Sequence, residues 1–232
     1  MPTTPPPPSS TDDRYRDAVA WCVGLYSDQG RFTRGYVQGK LLHDPVYRQL
    51  SESAPFHGPI LDLGCGRGQT VFLLQRLRPG AKAHGIDWDL RKLELARRSA
   101  SVAGLGEDVR FEAGDIRSIP YPTAGTILML DVLHYHELEQ QDAMLRRAAL
   151  ALTPGGRLFL RDVDASGSLR ARINIWQERL GCLVRLNRGA TLRFRSAQSI
   201  VAVLEGCGLE TEVFASWRGT PLANVLIEAR RP

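Results

Sequence analysis

Apolar runs alternate with amphipathic helical segments from residue 59 onward. The runs that predict parallel strands are PILDLG, AKAHGID, EDVRFEAGD, AGTILMLDVL and GRLFLRDVD, and this alternation is typical of a parallel sheet covered by helices on both faces. The last two apolar runs, LETEVFASW and PLANVLIEARR, are only a few residues apart around Gly219. Because a parallel crossover needs a dozen residues or more, these two runs predict an antiparallel hairpin.

The chain is therefore expected to form a Rossmann-like, doubly wound α/β sheet of seven strands, mostly parallel, with a C-terminal antiparallel hairpin. We assign this domain to residues 57–232, after a disordered proline-rich leader at 1–11 and a helical lid at 12–56. A helical insertion is predicted at 165–194. Lid and insertion should lie over the carboxyl ends of the strands, where open α/β sheets bind ligands.

Three finer expectations concern helix boundaries. In the lid, DDRYRDAVAWCVGLY and DPVYRQLSES predict helices, and the glycine-punctuated stretch SDQGRFTRGYVQGK separates them. Further along, LEQQDAMLRRAALAL predicts a helix that Pro154 and the following glycines stop, with the fifth strand starting at Gly156. An Asp89 cap is expected to begin the helix after the second strand.

Composition narrows the class of protein. The 232 residues carry a net charge of +5, mostly as arginine, and no apolar run is long enough to span a bilayer. The leader lacks the apolar region of a signal peptide, which predicts a cytoplasmic protein. The cysteines are scattered without CxxC pairs or nearby histidines, so neither a metal site nor a disulfide framework is expected. These cysteines are Cys22, Cys65, Cys182 and Cys207.

Positive charge is densest in the predicted insertion. Between Arg170 and Arg195 the chain has seven arginines and a single acid, Glu178. Such a surface could attract nucleic acid, an acidic carrier protein or an anionic small substrate, or it could be only a solvated helix face.

The glycine loop ILDLGCGRGQT, residues 60–70, indicates a ligand site after the first strand. A nucleoside-triphosphate loop would need Lys-Ser or Lys-Thr after its glycines, and none follows. A dinucleotide loop would need glycine where Gln69 stands. Asp62, at the end of the strand, suits a cationic ligand better than a pyrophosphate.

These residues, followed in order by GIDWD, AGDI, LDVLHY and LTPGGRLFLRD, resemble the class I S-adenosylmethionine-dependent methyltransferases over residues 59–230. The resemblance implies that Asp87 accepts both ribose hydroxyls, that Asp115 accepts the adenine amino group beside the Ile116 amide, and that the chain around Asp131 lines the methionine end. The implied cofactor contacts are Asp62, Gly64, Cys65, Gly66, Asp87, Trp88, Asp115, Ile116, Asp131 and Val132.

Three further residues are candidates for the chemistry. Histidine titrates near neutral pH, so His134 is the candidate base for a hydroxyl acceptor; the alternative is a histidine that only packs under the lid. Lys40 or Arg34, in the lid, is expected to reach the carboxylate of the cofactor, because a buried charge needs a partner.

The resemblance implies methyl transfer from S-adenosylmethionine to a small-molecule acceptor, with oxygen as the expected atom and a secondary-metabolite or acyl/polyketide pathway as the expected setting. An acidic carrier protein is a further candidate partner. The alternatives are an RNA or protein methyltransferase that uses the arginine-rich insertion, and a cofactor-binding regulator without catalysis. Nucleic acid is disfavoured because the segment 131–134 lacks the Asn/Asp-Pro-Pro-aromatic element of enzymes that methylate base amines.

Overall fold

The computed structural model describes residues 11–53, 56, 58–166, 192–217 and 223–232. Its strands are β1 (Ile60–Leu63), β2 (Ala83–Asp87), β3 (Val109–Ala113), β4 (Ala124–Leu130), β5 (Leu152–Val163), β6 (Glu210–Ala215) and β7 (Asn224–Arg230). Its helices are α1 (Thr11–Gly24), α2 (Gly30–His43), α3 (Pro45–Glu52), α4 (Gln69–Leu77), α5 (Leu90–Val102), α6 (Leu138–Ala151) and α7 (Ala197–Glu205). A single 3₁₀ turn covers Leu133–Tyr135.

The seven strands form one sheet in the order β3-β2-β1-β4-β5-β7-β6. Strands β1 to β5 pair in parallel, whereas β7 runs antiparallel to both β5 and β6. The predicted fold class, including the C-terminal hairpin, is confirmed. β1 is buried along its whole length and β4 nearly so, as expected of central parallel strands with helices on both faces.

The boundary of α6 differs from the expectation. This helix ends at Ala151, and β5 already begins at Leu152, so Pro154 lies in the strand rather than at the helix end. The early start has a partner from the far end of the chain, because the backbone of Arg231 exchanges hydrogen bonds with Gly155 and Gly156. The Asp89 cap of α5 is confirmed, since its carboxylate accepts the backbone N–H groups of the first helical turn.

The glycine-punctuated stretch of the lid is a helix. Three glycines in or at the edge of a helix are unfavourable by about 1 kcal/mol each relative to alanine. α2 nevertheless forms, because Val37 and Leu41 on its inner face are completely buried in the core. The expected break between two lid helices is therefore wrong.

The lid reaches the strand ends only in part. α1 begins at Thr11, inside the segment expected to be a disordered leader, and packs against α4 in the layer on one face of the sheet. The junction of α2 and α3 contacts residues at the carboxyl ends of β4 and β5, and the Tyr26 hydroxyl, after α1, donates to Arg67 O in the loop after β1. Nearly all of the predicted insertion, with most of its arginines, lies outside the described residues.

Candidate cofactor and acceptor site

The glycine loop between β1 and α4 is built from left-handed backbone. Gly64, Gly66 and Gly68 have φ angles of 83°, 55° and 80°. A Cβ on Gly64 would overlap Cγ1 of Val132, whereas a Cβ on Gly66 would meet no described atom within 4 Å. Gly64 therefore lets two chain segments pack closely, and Gly66 leaves open space above the loop.

Asp87 anchors this loop through backbone groups. Its Oδ2 accepts the N–H of Gly66 at 2.8 Å, and its Oδ1 accepts the N–H of Asp89 at 2.8 Å. The side chain is 6% exposed, so its carboxylate is fixed in place, with further acceptor capacity on both oxygens. The backbone N–H groups of Gly64 and Cys65 both donate to Ile86 O, which ties the loop to the end of β2.

Asp62 lies under the loop as a buried carboxyl group. It is 2% exposed, and its Oδ2 has no hydrogen-bond partner among the residues that the structure describes. Burial, with the charge of Asp87 in addition, raises the pKa of Asp62 to about 7. Two neighbouring acids that no described cation neutralises make this end of the site suited to a positively charged ligand.

A cluster of four charged residues forms the other end of the site, and we call it the lid cluster: Lys40, Asp44, Asp131 and Arg161. Arg161 Nη1 lies 3.1 Å from Asp44 Oδ2 and also contacts Asp131 Oδ2, and Lys40 Nζ lies 3.0 Å from Asp44 Oδ2 and 3.9 Å from Asp131 Oδ2. The cluster joins the lid to the ends of β4 and β5.

In this cluster, charge pairing affects the pKa values more strongly than burial does. Burial lowers the pKa of Lys40, but Asp131, Tyr47 and Asp44 outweigh burial and raise the pKa above its ordinary value. Burial raises the pKa of Asp44, but Arg161 and Lys40 outweigh it and leave the pKa lower than usual. Asp131 adopts a left-handed conformation, with a φ of 56°, and its N–H donates to Arg161 O.

Lys40 and Arg34, the two residues predicted to reach the cofactor carboxylate, have different surroundings. Lys40 is engaged with two acids, and Arg34 is exposed to solvent. Sequence reasoning missed Asp44 and Arg161. Two signals could have found them: Asp44 directly precedes Pro45 and caps α3, and Arg161 stands in an otherwise apolar strand, where a charged side chain requires partners.

A cavity of about 390 Å³ lies between α2 and the lid cluster. Its volume falls in the range of small-molecule sites. The residues that line it come from the second half of α2, the start of α3 and β5: Gly35, Tyr36, Gly39, Lys40, His43, Asp44, Pro45 and Arg161.

His134, the candidate base, is a core residue in this structure. Its side chain is 2% exposed, its Nδ1 lies 2.7 Å from Asp162 Oδ1, and its ring stacks on Phe194 at 5.1 Å. This burial favours the packing alternative, and the catalytic role remains a prediction. His43, which sequence reasoning missed, lines the cavity and is exposed.

Comparisons with known proteins agree with this geometry. A family model described as a methyltransferase domain matches residues 57–202. The chain belongs to the class I S-adenosylmethionine-dependent methyltransferase family. The resemblance seen in the sequence motifs is thereby confirmed, and S-adenosylmethionine is the methyl donor of this family.

Relatives of this chain include a demethylmenaquinone methyltransferase of Deinococcus radiodurans, 28% identical, over 71% of this chain and 73% of the relative. The tetracenomycin polyketide synthesis 8-O-methyl transferase TcmO of Streptomyces glaucescens is 32% identical over 46% of this chain and 31% of its own. Among solved structures, the mitomycin 7-O-methyltransferase MmcR shares the fold with a TM-score of 0.66 at 22% identity, over 99% of this chain and 74% of its own. The methyltransferase spans less than half the length of several curated relatives.

The cofactor fits the residues that this site presents. S-adenosylmethionine carries an ammonium and a sulfonium, and the fixed carboxylate of Asp87 accepts the N–H of Gly66, where the loop leaves open space. Asp62 is buried near Asp87 and adds a second acid to this end of the site. Cys65, also in the loop, is buried, and burial raises the pKa of its thiol. A thiol of that kind serves packing rather than nucleophilic chemistry.

The residues expected at the adenine end of the site follow β2 and β3. Asp115 is half-exposed, and its carboxylate forms a two-pronged ion pair with Arg117, which lowers the pKa of Asp115. Adenine would share that carboxylate with Arg117. Ile116 is buried, and its carbonyl accepts from Tyr121, while Trp88 is 67% exposed directly after Asp87. The cofactor contacts assigned to these residues remain predictions.

Two other features are absent from the described residues. No helix in that part of the chain is long and apolar enough to cross a membrane. No group of three or more His, Cys, Asp or Glu side chains there could hold a metal ion. Cys22, Cys65 and Cys207 are free thiols, and Cys182 lies outside the described segments.

Proposed function

We propose that the chain transfers the methyl group of S-adenosylmethionine to a hydroxyl oxygen of a small organic acceptor. The observation that carries the proposal is the acidic pair of Asp62 and Asp87 at the glycine loop, which favours a cationic ligand and lies on the same edge of the sheet as the cavity under the lid. The bound cofactor would supply the reactive methyl group. The chain itself would contribute binding, orientation and exclusion of water.

Each part of the site has a task in this proposal. Asp87 holds the ribose at a fixed height above β2, because its carboxylate is anchored by two backbone N–H groups. Asp62 attracts the positive end of the cofactor and becomes fully ionised when that charge arrives. The lid cluster closes the acceptor side, because Arg161 ties lid residue Asp44 to Asp131 at the end of β4.

Oxygen as the acceptor atom and a polyketide-type pathway are proposals that rest on relatives such as TcmO, whose name states an 8-O-methyl transfer in polyketide synthesis. The alternative that the arginine-rich insertion docks a macromolecule gains no support from its described end. Arg193 pairs with Glu137 at 2.9 Å, and Arg195 pairs with Asp142. The carrier protein and the cytoplasmic location remain predictions from the sequence.

The test follows a methyl label. The purified chain is incubated with methyl-labelled S-adenosylmethionine and an extract of its own source, beside an Asp87→Asn variant and an Asp17→Asn control on the exposed side of α1. Label that enters the organic-extractable fraction with wild type and the control, but not with Asp87→Asn, supports the proposal. Label in material released by nuclease or protease would favour a macromolecular acceptor, and S-adenosylhomocysteine binding without any transfer would favour the regulator.

A further inference from the structure

The centre of the glycine loop has few intrinsic restraints. Arg67 stands between Gly66 and Gly68, and both glycines have positive φ angles. Glycine reaches more backbone conformations than any other residue, so this part of the loop loses much conformational entropy when it becomes ordered. Asp87 holds one side of the loop through the N–H of Gly66. Further contacts to the loop come from the lid.

Two buried tyrosines of the lid hold the second half of the loop. Tyr26, in the turn after α1, is completely buried, and its hydroxyl donates to Arg67 O at 2.6 Å. Tyr47, in α3, is 4% exposed, and its hydroxyl accepts a hydrogen bond from Gln69 Nε2 at 3.0 Å. Gln69 is the first residue of α4, so the lid fixes the chain on both sides of the last glycine of the loop.

The hydroxyl groups of both tyrosines are uncharged. Burial raises the pKa of Tyr26 above its ordinary value and raises the pKa of Tyr47 to about 12. Both hydroxyls therefore keep their protons at neutral pH, and Tyr26 remains a donor. A third contact comes from α2, where the guanidinium of Arg67 lies 4.4 Å from the centre of the Tyr36 ring.

A further buried tyrosine makes the same kind of hydrogen bond without touching the loop. Tyr15, in α1, is 6% exposed, and its hydroxyl donates to Leu41 O in α2 at 2.5 Å. That bond joins two helices of the lid, whereas the bond of Tyr26 joins the lid to the glycine loop. Tyr15 therefore provides a matched control for Tyr26.

We propose that Tyr26 and Tyr47 are positioning residues for the cofactor, because their hydroxyl groups hold the glycine loop in the conformation that binds S-adenosylmethionine. A loop that adopts its binding conformation for only part of the time binds more weakly, in proportion to that fraction. Both tyrosines precede residues 57–202, which the family model matches. The proposal concerns the cofactor alone and goes beyond the acceptor chemistry proposed above.

The test compares cofactor affinity with stability in variants that lose one hydroxyl group and keep the ring. Calorimetry measures S-adenosylhomocysteine binding to the wild-type chain and to Tyr26→Phe, Tyr47→Phe and Tyr15→Phe, and thermal unfolding without ligand gives the melting temperatures. Because Arg67 O loses this donor, Tyr26→Phe should bind about tenfold more weakly. Tyr15→Phe should lower the melting temperature by a similar amount, about 2 to 4 °C, and bind as wild type does.

A double variant tests the hydrogen bond of Tyr47. Tyr47→Phe should weaken S-adenosylhomocysteine binding by about threefold to tenfold. Gln69→Met removes the donor to the same hydroxyl, so the two changes together should weaken binding no more than the larger single loss. Losses that add in full would contradict the proposal, since the two side chains would then act separately. This cycle also decides the matter if Tyr26→Phe fails to fold.

Two other results would overturn the proposal. Tyr26→Phe could bind S-adenosylhomocysteine as tightly as wild type, or Tyr15→Phe could weaken binding as much as Tyr26→Phe does, in which case affinity follows stability alone. Either result leaves methyl transfer intact, because the wild-type chain still binds the ligand. A wild-type chain that binds no S-adenosylhomocysteine would contradict the cofactor site itself, and with it both the proposed function and this inference.

Discussion

The two ends of the site are held together in different ways. At the glycine loop, the fixed carboxylate of Asp87 accepts backbone N–H groups from Asp89, 2 residues away in sequence, and from Gly66, 21 residues away. At the lid, Arg161 joins side chains 117 and 30 residues away in sequence. The loop end therefore depends on backbone conformation, and the lid end depends on charge balance between distant segments.

The largest loss of stability should come from breaking the charge balance at the lid. Arg161→Met leaves Asp44 and Asp131 without their shared guanidinium, and removal of one partner from a buried ion pair costs about 3 to 5 kcal/mol. Urea denaturation measures the free energy of unfolding.

Arg157→Met is the matched control on the same strand. Arg157 pairs with Glu228 at 2.6 Å, but both side chains are nearly a fifth exposed, so the loss should be about 1 kcal/mol. Asp44→Asn combined with Arg161→Met should recover part of the loss, since one uncompensated charge disappears. Equal losses for Arg157→Met and Arg161→Met would refute the contrast between the two ends.

The next effect tests backbone conformation at the loop. In Gly64→Ala the new methyl group would overlap Val132 at a positive φ, so strain and overpacking together should cost about 2 to 4 kcal/mol. Gly66→Ala has the strain but open space, and should cost about 1 to 2 kcal/mol. Thermal and urea unfolding of both variants measure the difference.

A double variant separates the two causes. Val132→Ala makes room for the methyl group of Gly64→Ala, so the pair should lose less stability than the sum of the single changes. Strict additivity would mean that the contact between Gly64 and Val132 does not matter.

The same contrast explains what the sequence could predict. The loop end consists of two short segments whose residues are contiguous in the chain. The motifs DLGCGRG and GIDWD were therefore sufficient to predict that Asp62 and Asp87 lie at the ends of neighbouring strands. The lid cluster depends on pairing between α2, β4 and β5, and no local motif marks Asp44 or Arg161 as neighbours. The early start of β5 depended in the same way on Arg231, and the burial of His134 depended on Asp162 and Phe194.

The cofactor contact of Asp87 should give a smaller effect than the losses of stability expected for Arg161→Met and Gly64→Ala. Asp87→Asn removes the charge and places an amide NH₂ against one of two backbone donors, Gly66 or Asp89. Loss of a hydrogen bond to a charged group costs about 1.5 to 3 kcal/mol, so affinity for S-adenosylhomocysteine should fall roughly tenfold to a hundredfold. Calorimetry gives the dissociation constant. The carboxylate of Asp115 is half-exposed and paired with Arg117, so Asp115→Asn should lower the affinity for S-adenosylhomocysteine by less than Asp87→Asn does. The reverse order would make the adenine end the principal anchor.

The last effect is a pH dependence that belongs to the loop end alone. The pKa of Asp62 is about 7 in the folded chain, and an unfolded aspartate titrates near 4. Between these values the folded state binds the additional proton, so the free energy of unfolding should fall as pH rises from about 4 to about 7 and then level off.

Asp62→Asn should remove this slope, and urea denaturation of both proteins at pH 5 and pH 8 measures it. The lid cluster predicts no such slope, because the pKa of Lys40 is raised and that of Asp44 is lowered, so both stay charged across this window. Asp44→Asn should therefore lower stability by the same amount at both pH values. A slope that survives in Asp62→Asn but disappears in Asp44→Asn would place the titrating group at the lid and reverse the roles of the two ends.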